Sequence, residues 1–127
     1  MWLQILIGIF LILHGMVHWV YAAPQDKAAD AKAFSVLTGR WLVKKGGLDQ
    51  SIALKLGIAL MILATVGFAV SGIGVLTSQD WWGIPAIATA AVSTLFLALY
   101  WDKMMTIGVV LNIGIIMLAL FWNFQAN

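Results

Sequence analysis

His14 and His18 are four residues apart in the segment His14-Gly15-Met16-Val17-His18, within an apolar run. On a helix this spacing puts the two imidazoles side by side on one face. Such a pair can chelate a metal if a third ligand joins it, exchange protons, or hydrogen-bond to a neighbouring helix. Asp102 is the carboxylate available as a third ligand, and a Zn, Cu or Fe site of His14, His18 and Asp102 is one candidate. A haem is a weaker candidate. Two histidines on one helix face cannot bind opposite sides of the same iron, so each would need its own haem or a haem shared across a homodimer. The plainest reading is a set of interhelical hydrogen bonds from the histidines to Asn112, Thr94 or a main-chain carbonyl. Bonds of that kind contribute about 0.6 kcal/mol each in a membrane bundle.

Composition decides which solvent these groups avoid. Of 127 residues, 63% are apolar and 9% charged, against about 25% charged in a soluble domain. So few charges cannot clothe a water-facing surface, and lipid must be the main solvent. With no cysteine in the chain, disulfides, thiolate metal sites and Cys nucleophiles are excluded. A net charge of +2 gives no reason to expect nucleic acid, and no Gly-rich loop follows a strand pattern to hold a nucleotide. Ser93 and Thr94 lack a Gly-x-Ser-x-Gly elbow and read as helix-packing residues. No residue stands out as catalytic, and the absence of Glu, Cys and nucleophile motifs argues against most enzyme mechanisms.

Four apolar runs must position the polar groups. The first is 2–22, long enough at ~1.5 Å per residue to cross a bilayer core. Val20-Tyr21-Ala22 resembles a signal-peptide cleavage site, but no Lys or Arg precedes the run and two histidines interrupt it. It is expected to be a retained span. Gln4, His14, His18 and Tyr21 fall within an arc of about 100°, which turns the histidines toward the bundle. The second span is 51–76, with Asp49 or Ser51 as N-cap. Its stripe Ala53, Gly57, Leu60, Ala64, Gly67, Ser71, Gly74 is small at six of seven positions, which suits close helix packing in lipid. The third span, 81–101, has Trp81, Trp82, Tyr100 and Trp101 at its ends, where aromatic residues anchor to interfaces. Its residues Ala91, Thr94, Ala98 and Asp102 share an arc of about 80° and form a small face leading to the carboxylate. The fourth span, 104–122, carries Asn112 inside it.

The loop 23–50 holds most of the charge. A short surface helix is expected from Asp26 to about Ala33, and residues 34–45 carry apolar groups that suit an interfacial lid. All seven basic residues (Lys27, Lys32, Arg40, Lys44, Lys45, Lys55 and Lys103) fall in or beside the first and third connections. The positive-inside rule makes that face cytoplasmic and places both termini outside.

Leu13-His14-Gly15-Met16-Val17-His18 and Trp101-Asp102-Lys103, together with Asn112 in the last span, resemble a family of uncharacterised small prokaryotic four-helix membrane proteins with a Leu-His-Gly-x-x-His motif in the first helix. The layout is also similar, in outline, to the DoxX-like group. The resemblance implies fold and topology and implies no activity.

The sequence reading is therefore an all-α protein: a single antiparallel four-helix transmembrane bundle in the cell membrane with an interfacial cytoplasmic loop. His14, His18, Thr94, Asp102 and Asn112 are expected to converge in its cytoplasmic half around a small polar cavity. That cavity would bind a small ligand, a lipid head group or a proton. The alternatives are an assembly subunit of a larger membrane complex, packing through the small stripe of the second span or the Ala face of the third, and a His-ligated metal or haem enzyme. A transporter would need a homo-oligomer, since four helices barely enclose a pathway.

Overall fold

The apolar runs fold as helices. The structure is a computed structural model that describes residues 1–22, 40–103 and 105–126. The surface helix expected over Asp26–Ala33 lies outside the described residues. Helix α1 covers Trp2–Val17 and tightens into a 3-10 helix over His18–Ala22. A short α2 (Arg40–Lys44) precedes α3 (Gln50–Leu76). A 3-10 turn at Asp80–Trp82 leads into α4 (Gly83–Leu99), and α5 runs Met105–Ala126. The described residues contain no strand. Four stretches are long and apolar enough to cross a membrane: Trp2–Tyr21, Gln50–Leu76, Asp80–Leu99 and Met105–Trp122.

Local chemistry explains the boundaries. Asp49 is the N-cap of α3, its carboxylate accepting from the Ser51 and Ile52 amides at 2.8 and 3.3 Å. A cap of this kind is worth about 1 kcal/mol. Pro85 sits in the first turn of α4, where its missing N–H breaks no helical bond. At the C-terminus of α3, Gln79 N–H reaches the Gly74 carbonyl and Ser78 N–H the Val75 carbonyl. That closure needs a left-handed residue, and Ser78 supplies it with φ 54°.

The bundle is held by close contacts between α1 and α3, α3 and α4, and α4 and α5, whereas the backbones of α1 and α5 scarcely meet. Small residues make these approaches possible. A Cβ on Gly72 would lie 2.6 Å from the Gly8 carbonyl oxygen, and one on Gly67 2.0 Å from Thr89 Oγ1. Thr65 ties α3 to α1: its hydroxyl lies 3.0 Å from the Gly15 carbonyl and accepts from Trp19 Nε1 at 3.0 Å. The expected small stripe of α3 is spent inside the chain, since six of its seven residues are buried and Gly67 abuts Thr89.

The core has two apolar layers. One contains Ile7, Leu11, Phe68, Trp82, Ile115 and their neighbours, the other Leu60, Met61, Phe96, Leu97, Tyr100 and Met105. Leu42 of α2 packs onto the second layer, so the end of the 23–50 loop covers that end of the bundle. The Tyr100 hydroxyl donates to the Ala53 carbonyl beside it. Between the two layers lies the polar cluster.

Candidate functional site: a buried histidine, serine and asparagine cluster

The helix change at His18 aims its ring. The His18 N–H turns to the Met16 carbonyl as the α-helix tightens, and the His14 carbonyl accepts from His18 Nδ1 at 3.0 Å. Both rings are buried, His14 6% and His18 2% exposed. The inward polar stripe expected of this helix is therefore present at its two histidines.

Each imidazole reaches another helix. His14 Nε2 lies 3.0 Å from Asn112 Oδ1 on α5, and His18 Nε2 lies 2.7 Å from Ser93 Oγ on α4. Asn112 Nδ2 donates to Ser93 Oγ at 2.9 Å and to Thr94 Oγ1 at 3.1 Å. Thr94 Oγ1 donates to the Ala90 carbonyl at 2.8 Å. These contacts assign the hydrogens by elimination. Thr94 has given its proton to Ala90, so Asn112 must present its NH2 to Thr94 and Ser93, and its oxygen to His14. His14 is then the Nε2–H tautomer. His18 faces a carbonyl through Nδ1 and must donate there, so in the neutral state its Nε2 accepts from Ser93. Every buried side-chain nitrogen and oxygen among the described residues has a partner, as the low dielectric of a core demands.

Aromatic rings close the surroundings. Phe68 stands edge-on to His14 with centroids 4.9 Å apart, and Phe10 stacks on it at 5.7 Å. Phe68 and Phe96 lie 6.2 and 6.0 Å from the His18 ring. Where the sequence reading expects a cavity, the structure packs phenylalanine rings against both imidazoles.

This packing tests the chemistries open to the pair. For a metal, the described residues offer no group of three or more His, Cys, Asp or Glu side chains that could hold one. His18 Nδ1 carries a hydrogen, and its Nε2 faces Ser93. Among the described residues, the side chains around this pair do not make up a metal-ligand set. Ser93, His18 and the His14 carbonyl stand in the order that activates a serine nucleophile: hydroxyl, base, and an acceptor that orients the base. Yet Ser93 is 0% exposed, and Asn112 donates onto the oxygen that would attack. The arrangement is hydrogen-bonding chemistry in a sealed core.

Of the sequence candidates, His14, His18, Asn112 and Thr94 come together. Asp102 lies in the α4–α5 turn, half-buried. Its carbonyl accepts from the Met105 N–H at 2.9 Å, and its carboxylate acts electrostatically on Tyr21, whose ring lies 6.5 Å from that of His18. Ser93, read from sequence as a packing residue, is the hub that bonds both His18 and Asn112. Of the face Ala91, Thr94, Ala98, Asp102, Ala91 and Ala98 are exposed and Thr94 and Asp102 half-buried, while Ala86, Ala90, Ser93 and Leu97 face the core. The signal for Ser93 was its position one turn from Ala90 and Leu97 on that inner face. No protein-family model matches the chain, and no curated protein or solved structure is similar to it.

Proposed function

We propose that this chain is a multi-pass protein of the cell membrane whose buried cluster of His14, His18, Ser93, Thr94 and Asn112 binds a proton. In this reading the four spans form an antiparallel bundle, both termini are outside, and the loops 23–50 and 102–104 are cytoplasmic. Contacts of α1 with α3 support the antiparallel course, because Gly8 meets Gly72 while the later Gly15 meets the earlier Thr65. The cytoplasmic side rests on the basic residues: Arg40, Lys44, Lys45 and Lys103 lie in the first and third connections, and Lys55 near the start of α3.

The observation that carries the proton reading is the closed hydrogen-bond circuit packed by phenylalanine rings. A lipid head group or small molecule would have to expel a side chain to enter. A proton needs no volume. His14 in its Nε2–H form can take one on Nδ1 and keep its bond to Asn112. His18 can take one on Nε2, whereupon the Ser93 hydroxyl turns its hydrogen away and accepts instead. An ionisable group inside a membrane bundle is a functional candidate by default. The Tyr21 ring lies 6.5 Å from that of His18, centroid to centroid.

Nitrogen-15 NMR of the imidazoles in bilayers, followed against pH, tests this. The reading expects both rings to pass reversibly from distinct neutral tautomers to imidazolium while the helices stay packed. Rings that remain neutral down to the pH of unfolding would end it.

The second reading is an assembly subunit, in a homo-oligomer or a larger membrane complex. It is favoured by the exposed small face of α4 at Ala91 and Ala98, which suits close packing against another helix. In that case Ala91→Leu and Ala98→Leu would break association in the membrane, and His14→Ala would leave the role intact.

A further inference from the structure

Three ring nitrogens of the histidine cluster are engaged: His14 Nε2 with Asn112, His18 Nδ1 with the His14 carbonyl, and His18 Nε2 with Ser93. Among the described residues no hydrogen bond engages the remaining one, His14 Nδ1. Every buried side-chain nitrogen and oxygen there has a partner. This atom therefore reaches the surface, within the 6% of His14 that is exposed. The helical period says which surface. Phe10 and Val17, one turn before and after His14, are 39% and 50% exposed, whereas Leu11 and His18 are buried. His14 thus stands at the edge of the buried face of α1. Gly8 and Gly15 turn to α3, where an added Cβ would meet Gly72 and Thr65. His14 turns to α5 instead, so its edge lies at the α1–α5 seam, where the two backbones scarcely meet.

The hydrogen bonds also set the two rings in order as proton acceptors. A proton on His14 Nδ1 fills an unused lone pair and leaves the Asn112 bond in place. A proton on His18 Nε2 makes Ser93 Oγ accept from that ring and from Asn112 Nδ2 together, and the serine hydrogen must then find another acceptor. Among the described residues, the titratable side chain against His14 is His18 of its own helix, while α3 presents Phe68 and α5 Asn112. The imidazole centroids are 5.6 Å apart, close enough for a charge on one ring to oppose a charge on the other, so the rings charge in sequence. Resting on the proton reading, we propose that His14 Nδ1, at the α1–α5 seam, is the atom through which the cluster takes up and releases its proton, and that His18 charges only after it.

Two measurements on the full chain test this. Diethyl pyrocarbonate acylates an uncharged imidazole at an accessible nitrogen, and so reads access without reading charge. On the folded protein in detergent at neutral pH, peptide mass spectrometry should find the adduct on His14 and not on His18. Phe10→Ala, a change at an exposed position, should speed it. Nitrogen-15 titration in bilayers should then move the His14 Nδ1 resonance at a higher pH than any resonance of His18. Equal labelling of the two histidines, or no adduct on the folded protein, would overturn the proposal. A titration in which His18 moves first would overturn it and leave the proton reading standing. An adduct on His14 beside rings that stay neutral until unfolding would overturn it through the proton reading itself.

Discussion

The His14 imidazole and the Asn112 carboxamide meet at 3.0 Å across two helices whose backbones scarcely touch. Their bond is the polar link over the α1–α5 seam, with Phe68 of α3 packed edge-on against the same imidazole. A bond in this position is weak by itself, about 0.6 kcal/mol on average in membrane bundles. Breaking one side of it is another matter, because the orphaned partner stays buried.

His14→Ala is therefore expected to destabilise the bundle by about 1–3 kcal/mol, the cost of leaving Asn112 Oδ1 unpaired. The double variant with Asn112→Ala should lose less than the sum of the two singles. Reversible unfolding in mixed micelles measures both. Strict additivity would mean that the bond contributes nothing.

The tautomers are a sharper test of the circuit. His14 should be found as the Nε2–H form and His18 as the Nδ1–H form at neutral pH, since their partners at Asn112 and the His14 carbonyl leave no other choice. Nitrogen-15 shifts distinguish the two forms. Ser93→Ala should perturb the His18 Nε2 resonance more than any signal of His14.

Two glycines should behave oppositely. Gly72→Ala places a methyl 2.6 Å from the Gly8 carbonyl and should cost about 1–3 kcal/mol through the forced separation of α1 and α3. Gly114→Ala meets nothing within 4 Å and should be neutral or stabilising by up to about 1 kcal/mol through helix propensity. The same unfolding assay ranks them.

The topology can be read chemically because the chain has no cysteine of its own. Single substitutions Lys45→Cys, Ser78→Cys and Lys103→Cys fall on exposed positions. A membrane-impermeant maleimide should label Ser78→Cys on intact cells. It should label the other two only in inverted vesicles. Labelling of all three from one side would exclude the proposed antiparallel arrangement.

The sequence by itself determined the four spans and the inward stripe of His14 and His18, and it narrowed the cap of the second span to Asp49 or Ser51. These follow from hydropathy, from capping chemistry and from a helical period of 3.6, all of which are local. Asn112 could be singled out for the same reason, as a polar residue inside an apolar run. What the tertiary structure alone decided is how each helix is turned about its own axis. In lipid the outside is as apolar as the inside, so hydropathy does not mark the buried face of α4. The small face at Ala91 and Ala98 turns outward, and Ser93, one residue from Thr94, becomes the hub of the cluster. The placement of Asp102 depends on the α4–α5 turn, where its carbonyl accepts from the Met105 N–H. The phenylalanines that pack against the histidines come from α1, α3 and α4, and only their packing together could bring them to the same two rings.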